Sequence, residues 1–173
     1  MSQDSWTAVV TAAGHATRFR PFSTVIPKEM LPLGHTPAVE HVIDECLGAG
    51  AGHVIVATRP DDAIVPAYVD VLRRQGRPVE AVAEDLDHGY GNGTPLLTLR
   101  PRLESQALFG VAFGDDVLLG GADLAAMYDL ARTGADAVIA AQLIRPEAVA
   151  GSLFDMRIAP AVEFRRLGRI APV

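Results

Sequence analysis

Short, almost wholly apolar runs recur along the chain, among them Ala8-Val9-Val10 and Val54-Ile55-Val56-Ala57. Between them lie longer stretches with apolar residues at i, i+3, i+4 and i+7. An unbroken apolar run fits a strand buried on both faces, and the 3.6-residue period marks one face of a helix. The pattern predicts strands over Trp6–Thr11, His53–Thr58, Pro78–Ala83, Leu108–Phe113 and Asp136–Gln142. It predicts a first helix over Pro37–Ala49, opened by Thr36 as N-cap, with the seam Val39, Val42, Ile43, Cys46 and Leu47. A second helix, capped by Asp61, turns Ile64, Val65, Tyr68, Val71 and Leu72 inward. Thr94-Pro95 repeats the cap-and-proline pairing and starts a short third helix. Ala122–Thr133 is the fourth, with Leu124, Met127 and Ala131 inward. The tail from Ile144 to Val173 has no clear period. Strand and helix alternate, so the expected fold is a three-layer α/β/α sandwich on a mostly parallel, doubly wound sheet.

Composition narrows the function classes. The 173 residues are 49% hydrophobic and carry a net charge of −6. Their mean hydropathy is +0.21. This suits one domain, residues 1–173, with a sizeable core, and argues against disorder. A general nucleic-acid binder is more often basic, so none is expected as a partner. The single cysteine excludes an internal disulfide framework, and its place on a helix seam makes it a core residue. No apolar run is long enough to span a membrane and no signal peptide is visible, so a cytoplasmic protein is expected. The five histidines show no paired metal spacing.

The densest chemistry lies between the first strand and the first helix, in residues 12–32. Open α/β sheets place ligand sites at such strand ends. Ala12, Ala13 and Gly14 let a ligand approach the backbone closely. Arg18 can hold a phosphate with two parallel hydrogen bonds, and Lys28, the only lysine of the chain, adds a compact ammonium. Pro21, Pro27 and Pro32 stiffen the loop. A small, stiff, cationic loop suits a nucleoside triphosphate. No G-x-x-x-x-G-K-[ST] motif is present, which excludes a P-loop. The second strand ends in Thr58-Arg59 rather than an acid, which disfavours a dinucleotide site.

This loop resembles the signature of the sugar-1-phosphate nucleotidylyltransferases, broadly G-x-G-T-R-x-x-P-x-T-x-x-x-P-K-x-x-L-P. Pro27-Lys28-Glu29-Met30-Leu31-Pro32 is especially similar to the bacterial UTP–glucose-1-phosphate uridylyltransferases. The pattern has many fixed positions and is far more specific than a lone glycine motif. Ala16 departs from it, standing where the family has its second glycine. The resemblance implies a Rossmann-like fold of the nucleotide-diphospho-sugar transferase type. It implies transfer of a nucleotidyl group from a nucleoside triphosphate, with UTP expected, to a sugar 1-phosphate, with glucose 1-phosphate expected.

By the same resemblance Arg18 stabilises the triphosphate and the leaving pyrophosphate, Lys28 bridges substrate phosphates, and Thr17 sits in the nucleotide loop. Phe113-Gly114-Asp115-Asp116 matches the family's Gly-Asp-Asp, which makes Asp115 the ligand of a magnesium ion and Asp116 its neighbour toward the sugar. Two acids after a strand equally suit a turn or an N-cap. Gly89, Gly91 and Gly93 resemble the family's base-side loop, and also suit a plain turn. Glu84 stands where the uridylyltransferases carry a glutamine. That weakens the case for uracil, since an ionised carboxylate cannot donate to a base carbonyl. In the tail, Gly151 matches a family glycine whose preceding tyrosine is Ala150 here. Glu163 echoes a sugar-holding glutamate, with Phe164 in place of lysine; an ordinary strand is the competing reading.

The resemblance covers the N-terminal part of the family pattern, so the chain is expected to lack the family's C-terminal part. Two functions follow from this. One is an enzyme, which in this family can form homo-oligomers. The other is a catalytically impaired relative that binds a nucleotide or regulates a partner.

Overall fold

The computed structural model describes residues 5–89, 91–118 and 123–140. They fall into two compact units, 1–124 and 125–173, and each is described by itself.

The first unit is built on β1 (Trp6–Ala12), which is buried along almost its whole length. A two-residue hairpin follows, β2 (Pro32–Leu33) with β3 (Thr36–Pro37). Then come α1 (Ala38–Gly48), β4 (Ala51–Thr58), α2 (Ile64–Arg74), β5 (Val79–Ala83), α3 (Thr94–Leu103) and β6 (Phe109–Phe113). The main sheet has the order β5-β4-β1-β6, and every pairing in it is parallel. Val9 stands level with Ile55 on one side and Val111 on the other. Val9 and Val10 point to opposite faces and both have no solvent exposure. That double burial is why the run reads as unbroken apolar sequence.

The chain steps outward from β1 to β4 to β5, then crosses β1 and lays β6 on its far side. This is the expected Rossmann-like topology, with order reversing between β1 and β6. Right-handed crossovers then put α1 and α2 on one face and α3 on the other. Contacts agree. The Tyr68 hydroxyl of α2 donates to Glu40 of α1, and Arg77 pairs with Glu40 at 2.9 Å and Asp44 at 2.7 Å. On the opposite face Leu99 and Leu103 of α3 pack on Val9, Ile55 and Ala57, and Arg102 reaches Glu80 at 2.7 Å. Gly110, beside Ala8 in the sheet, admits the Trp6 ring; a Cβ there would lie 2.3 Å from it.

Local chemistry displaces some expected boundaries. Asp62, not Asp61, caps α2, accepting from Ile64 N–H at 2.8 Å and Val65 N–H at 3.2 Å. Asp61 instead pairs with Arg59 at 3.0 Å. Val65, Val69 and Leu72 form the buried stripe of α2, while Ile64 and Val71 are exposed. Thr36 does not cap α1, because it is held in the β2–β3 hairpin. Thr94 lies inside α3, with Gly93 as N-cap, and its hydroxyl donates to Gly89 O at 3.0 Å. Of the expected α1 seam Val39, Val42, Ile43 and Cys46 are buried and Leu47 is half-buried, Ala38 joining the buried set, and burial pushes the Cys46 thiol up to about 12.

The helix α4 (Asp123–Arg132) runs into the second unit. There Arg132 lies over the Tyr128 ring, and Gly134, at φ 102°, ends the last turn. The strand expected over 136–142 does not form across residues 136–140, where Ile139 is exposed and no ladder partner is found among the described residues. Residues 141 and 142, and the tail sites Gly151 and Glu163, lie outside the described residues.

Candidate functional site

Four connections leave carboxyl ends of parallel strands: 13–31 after β1, 59–63 after β4, 84–93 after β5, and 114–118 after β6. The first is folded into three single turns of 3-10 helix, Thr17–Phe19, Phe22–Thr24 and Lys28–Met30. Ala16 opens the first turn at φ 47°, ψ 38°, in the left-handed region. Its carbonyl accepts from Ser23 Oγ at 2.8 Å and from Phe19 N–H at 2.9 Å. The position where the resemblance has a glycine therefore does require a positive φ, and an alanine there is strained by roughly 1–2 kcal/mol.

The third turn carries the polar centre. Lys28 Nζ donates to Asp115 Oδ2 at 2.6 Å and lies 3.8 Å from Glu29 Oε1. Asp115 is about one-third exposed, whereas Glu29 is buried. Burial pushes the Glu29 carboxyl up to about 7, against a backbone hydrogen bond and the Lys28 charge, which both pull it down. Gly114 makes the close approach of the β6 end possible. A Cβ there would meet Thr11 O at 3.2 Å and Glu29 Cγ at 3.3 Å. One ammonium thus sits between an enclosed acid and an open one.

The far wall comes from β4 and β5. Glu84 is 6% exposed, and its backbone N–H donates to Thr58 O at 2.8 Å. Burial raises its pKa, with His15 and Arg59 pulling it down. Arg59 donates through Nη1 to Gly14 O at 3.0 Å and through Nε to Asp61, fastening the first loop to the end of β4.

These walls enclose one open cleft. Thr11, Ala13, Gly14, Lys28 and Glu29 line it from β1 and its loop. Glu84, Gly91, Asn92 and Pro95 line it from the β5–α3 connection, and Phe113 and Asp115 from the end of β6. Of the residues expected at the site, Ala13, Gly14, Lys28, Glu84, Gly91 and Asp115 meet here. Ala12 is buried as the last residue of β1, level with Thr58. Thr17 and Arg18 are exposed on the first 3-10 turn, outside the lining. Gly89 is not part of the lining, and its carbonyl is held by Thr94. Asp116 is exposed, its N–H on Phe113 O at 3.0 Å.

Sequence reasoning missed Glu29 and Arg59. Glu29 had a signal, since it sits among Ile26, Met30 and Leu31, an apolar setting in which an acid is turned inward. Arg59 had none beyond its place at a strand end.

A divalent cation would find one open carboxylate here, Asp115. Among the described residues no group of three or more His, Cys, Asp or Glu side chains converges on a point. One carboxylate fits magnesium, which is commonly held by one or two carboxylates together with substrate phosphates and water. Among the described residues no helix is long and apolar enough to cross a membrane.

A family model described as a MobA-like NTP transferase domain matches residues 8–169. A mannose-1-phosphate guanylyltransferase of Mycobacterium tuberculosis is 33% identical over 138 residues, covering 80% of this chain and 37% of that protein. A UTP–glucose-1-phosphate uridylyltransferase of Escherichia coli is 36% identical over 63 residues, covering 36% of this chain and 21% of that protein. The solved structure of UTP-bound UGPase from Acinetobacter baumannii matches with a TM-score of 0.63 at 24% identity, over 75% of this chain and 53% of that one. The last likeness is one of fold. The chain spans at most about half the length of these relatives.

Proposed function

The chain belongs to the MobA-like NTP transferase domain family, and on that premise we propose that it transfers a nucleotidyl group from a nucleoside triphosphate to a sugar 1-phosphate. A phosphate oxygen of the sugar 1-phosphate attacks the α-phosphorus. An O–P bond forms there, the bond from the α-phosphorus to the bridging oxygen breaks, and pyrophosphate leaves with that electron pair. The observation that carries this reading is the Lys28–Asp115 contact in the lining of a cleft whose β1 side is made of the small residues Thr11, Ala13 and Gly14.

In such a transfer the protein positions the reactants and neutralises charge. Lys28 holds triphosphate oxygens in the cleft. Gly14, whose missing side chain leaves room against the Lys28 stem, lets the phosphates reach the loop backbone. Arg18, on the exposed first turn, meets the pyrophosphate as it leaves. Asp115 holds a magnesium ion, which supplies further neutralisation of phosphate charge when bound. Glu29 fixes the ammonium from behind. For the sugar we propose glucose 1-phosphate, on the likeness of the Pro27–Pro32 segment; mannose 1-phosphate, named for the Mycobacterium tuberculosis relative, is the competing acceptor. The same likeness points to UTP as donor, and Glu84 speaks against uracil.

The test is pyrophosphate release by this chain with magnesium, each of the four common nucleoside triphosphates, and glucose or mannose 1-phosphate. Release that depends on both substrates and falls at least tenfold in Lys28→Ala supports the proposal. Triphosphate binding without release would favour a nucleotide-binding relative instead.

A further inference from the structure

Resting on the reading that the cleft takes a nucleoside triphosphate, we propose that Glu84 makes the site selective for guanine, its carboxylate accepting the N1–H and N2–H₂ donors of the base. The position fits. Glu84 follows β5 and Asp115 follows β6, at opposite edges of the four-stranded sheet. Three strand spacings separate those ends, about 14 Å, the reach of a nucleotide from phosphate to base. Lys28 and Asp115 occupy the phosphate end, so the base end falls beside Glu84, Gly91 and Asn92.

The chemistry of the side chain then selects the base. Glu84 is almost fully buried yet lines the cleft. Its backbone N–H donates to Thr58 O, and among the described residues its carboxylate has charges near it, His15 and Arg59, but no side-chain hydrogen bond. His15 and Arg59 favour the charged form of Glu84, and Arg59 directs Nε to Asp61 and Nη1 to Gly14 O. A carboxylate that faces a cleft without protein donors needs pairing once a base covers it, and a ligand supplying two donors provides that. Guanine presents two parallel donors on one edge, matched to the two oxygens. Uracil presents one N–H between two carbonyl oxygens, which the carboxylate repels. Adenine and cytosine each present an amino group beside a ring-nitrogen acceptor, giving one contact and one clash. A site built on such contacts discriminates strongly, because the wrong base leaves a buried group unpaired.

The experiment is calorimetric titration of the full chain, with magnesium, by GTP, ITP, UTP and inorganic tripolyphosphate. Wild type and Glu84→Gln are compared. ITP keeps N1–H and lacks the 2-amino group; tripolyphosphate has no base and reports the phosphate end alone. We expect GTP to bind at least about tenfold more tightly than UTP, with ITP between them. Glu84→Gln should bring GTP and UTP to within about threefold of each other and leave tripolyphosphate affinity unchanged. UTP binding as tightly as GTP in wild type, or an unaltered GTP-to-UTP ratio in the variant, overturns the guanine assignment and leaves the transferase reading standing. Failure of tripolyphosphate and every nucleotide to bind wild type overturns both.

Discussion

Lys28 Nζ and Asp115 Oδ2 lie 2.6 Å apart, although 87 positions separate the two residues in the chain. The sheet order explains the meeting. β1 and β6 are neighbours, so the loop that follows one strand lies against the turn that follows the other. In a chain of net charge −6, this contact sets the only lysine beside an acid suited to a divalent cation. Under the proposed function the pair is a resting arrangement, in which a triphosphate would compete for the ammonium and a cation for the carboxylate.

Asp115→Asn tests the second half of that statement. The amide keeps the shape and loses the charge, so triphosphate binding should become insensitive to magnesium. The measurement is calorimetric affinity with and without 5–10 mM magnesium, on the order of ordinary assay concentrations. Magnesium dependence that survives unchanged removes Asp115 from the metal site.

Glu29 gives a pH signature. Its carboxyl is raised from 4.5 to about 7 by burial, so the folded chain holds this proton more tightly than the unfolded chain. Stability from this group is therefore fully present below about 4.5 and is lost as pH rises through about 7. The loss is at most about 3.5 kcal/mol, from ~1.4 kcal/mol for each pKa unit. Glu29→Gln, which stays neutral, should be no more stable than wild type near pH 5 and should gain on it toward pH 8. Urea unfolding at the two pH values checks this. A difference between variant and wild type that is the same at both would show that Glu29 does not titrate in this range.

Ala16 offers a stabilising change. Its φ of 47° suits glycine, and Ala16→Gly exchanges roughly 1–2 kcal/mol of left-handed strain for about 0.5–1 kcal/mol of extra backbone entropy. The expected net gain is a few tenths of a kcal/mol to about 1, or up to about 4 °C in Tm for a chain of this size. A fall in Tm would mean that the alanine methyl makes contacts worth more than the strain.

Gly110→Ala should act in the opposite sense. The added methyl meets the Trp6 ring at 2.3 Å, and overpacking a core in this way costs about 1–3 kcal/mol. Thermal unfolding should show a clear drop. Wild-type stability would mean that Trp6 moves aside at little cost.

The fold was largely legible because it rests on the apolar runs. A strand such as Trp6–Ala12, buried on both faces, has little freedom to be anything else. The helix starts were less legible, because caps are decided by competing bonds. Asp61 and Asp62 both suit an N-cap, and the Arg59 guanidinium draws Asp61 away. Thr94 suits one too, but its hydroxyl closes the loop onto Gly89. The run at 136–140 was apolar enough to read as a strand, yet apolarity does not supply a ladder partner. Within the cleft, Gly14, Lys28, Glu84 and Asp115 were visible through residue type and spacing. Glu29 was not singled out, although its apolar neighbours Ile26, Met30 and Leu31 were a signal, because a lone acid in a loop adds no periodicity to them. Arg59 fastens Gly14 across the sheet edge, a contact that depends on which strands are neighbours and not on the residues beside it.

The central claim is that Lys28 holds the phosphates of a nucleoside triphosphate, and affinity in Lys28→Ala tests it most directly. Wild type and variant are titrated with GTP and with inorganic tripolyphosphate in the presence of magnesium, each first shown to be folded by its thermal transition. The account predicts that both ligands weaken together by about 1.5–3 kcal/mol, the value of a charged hydrogen bond, or roughly 10- to 150-fold in Kd. Equal affinities in wild type and variant would contradict it.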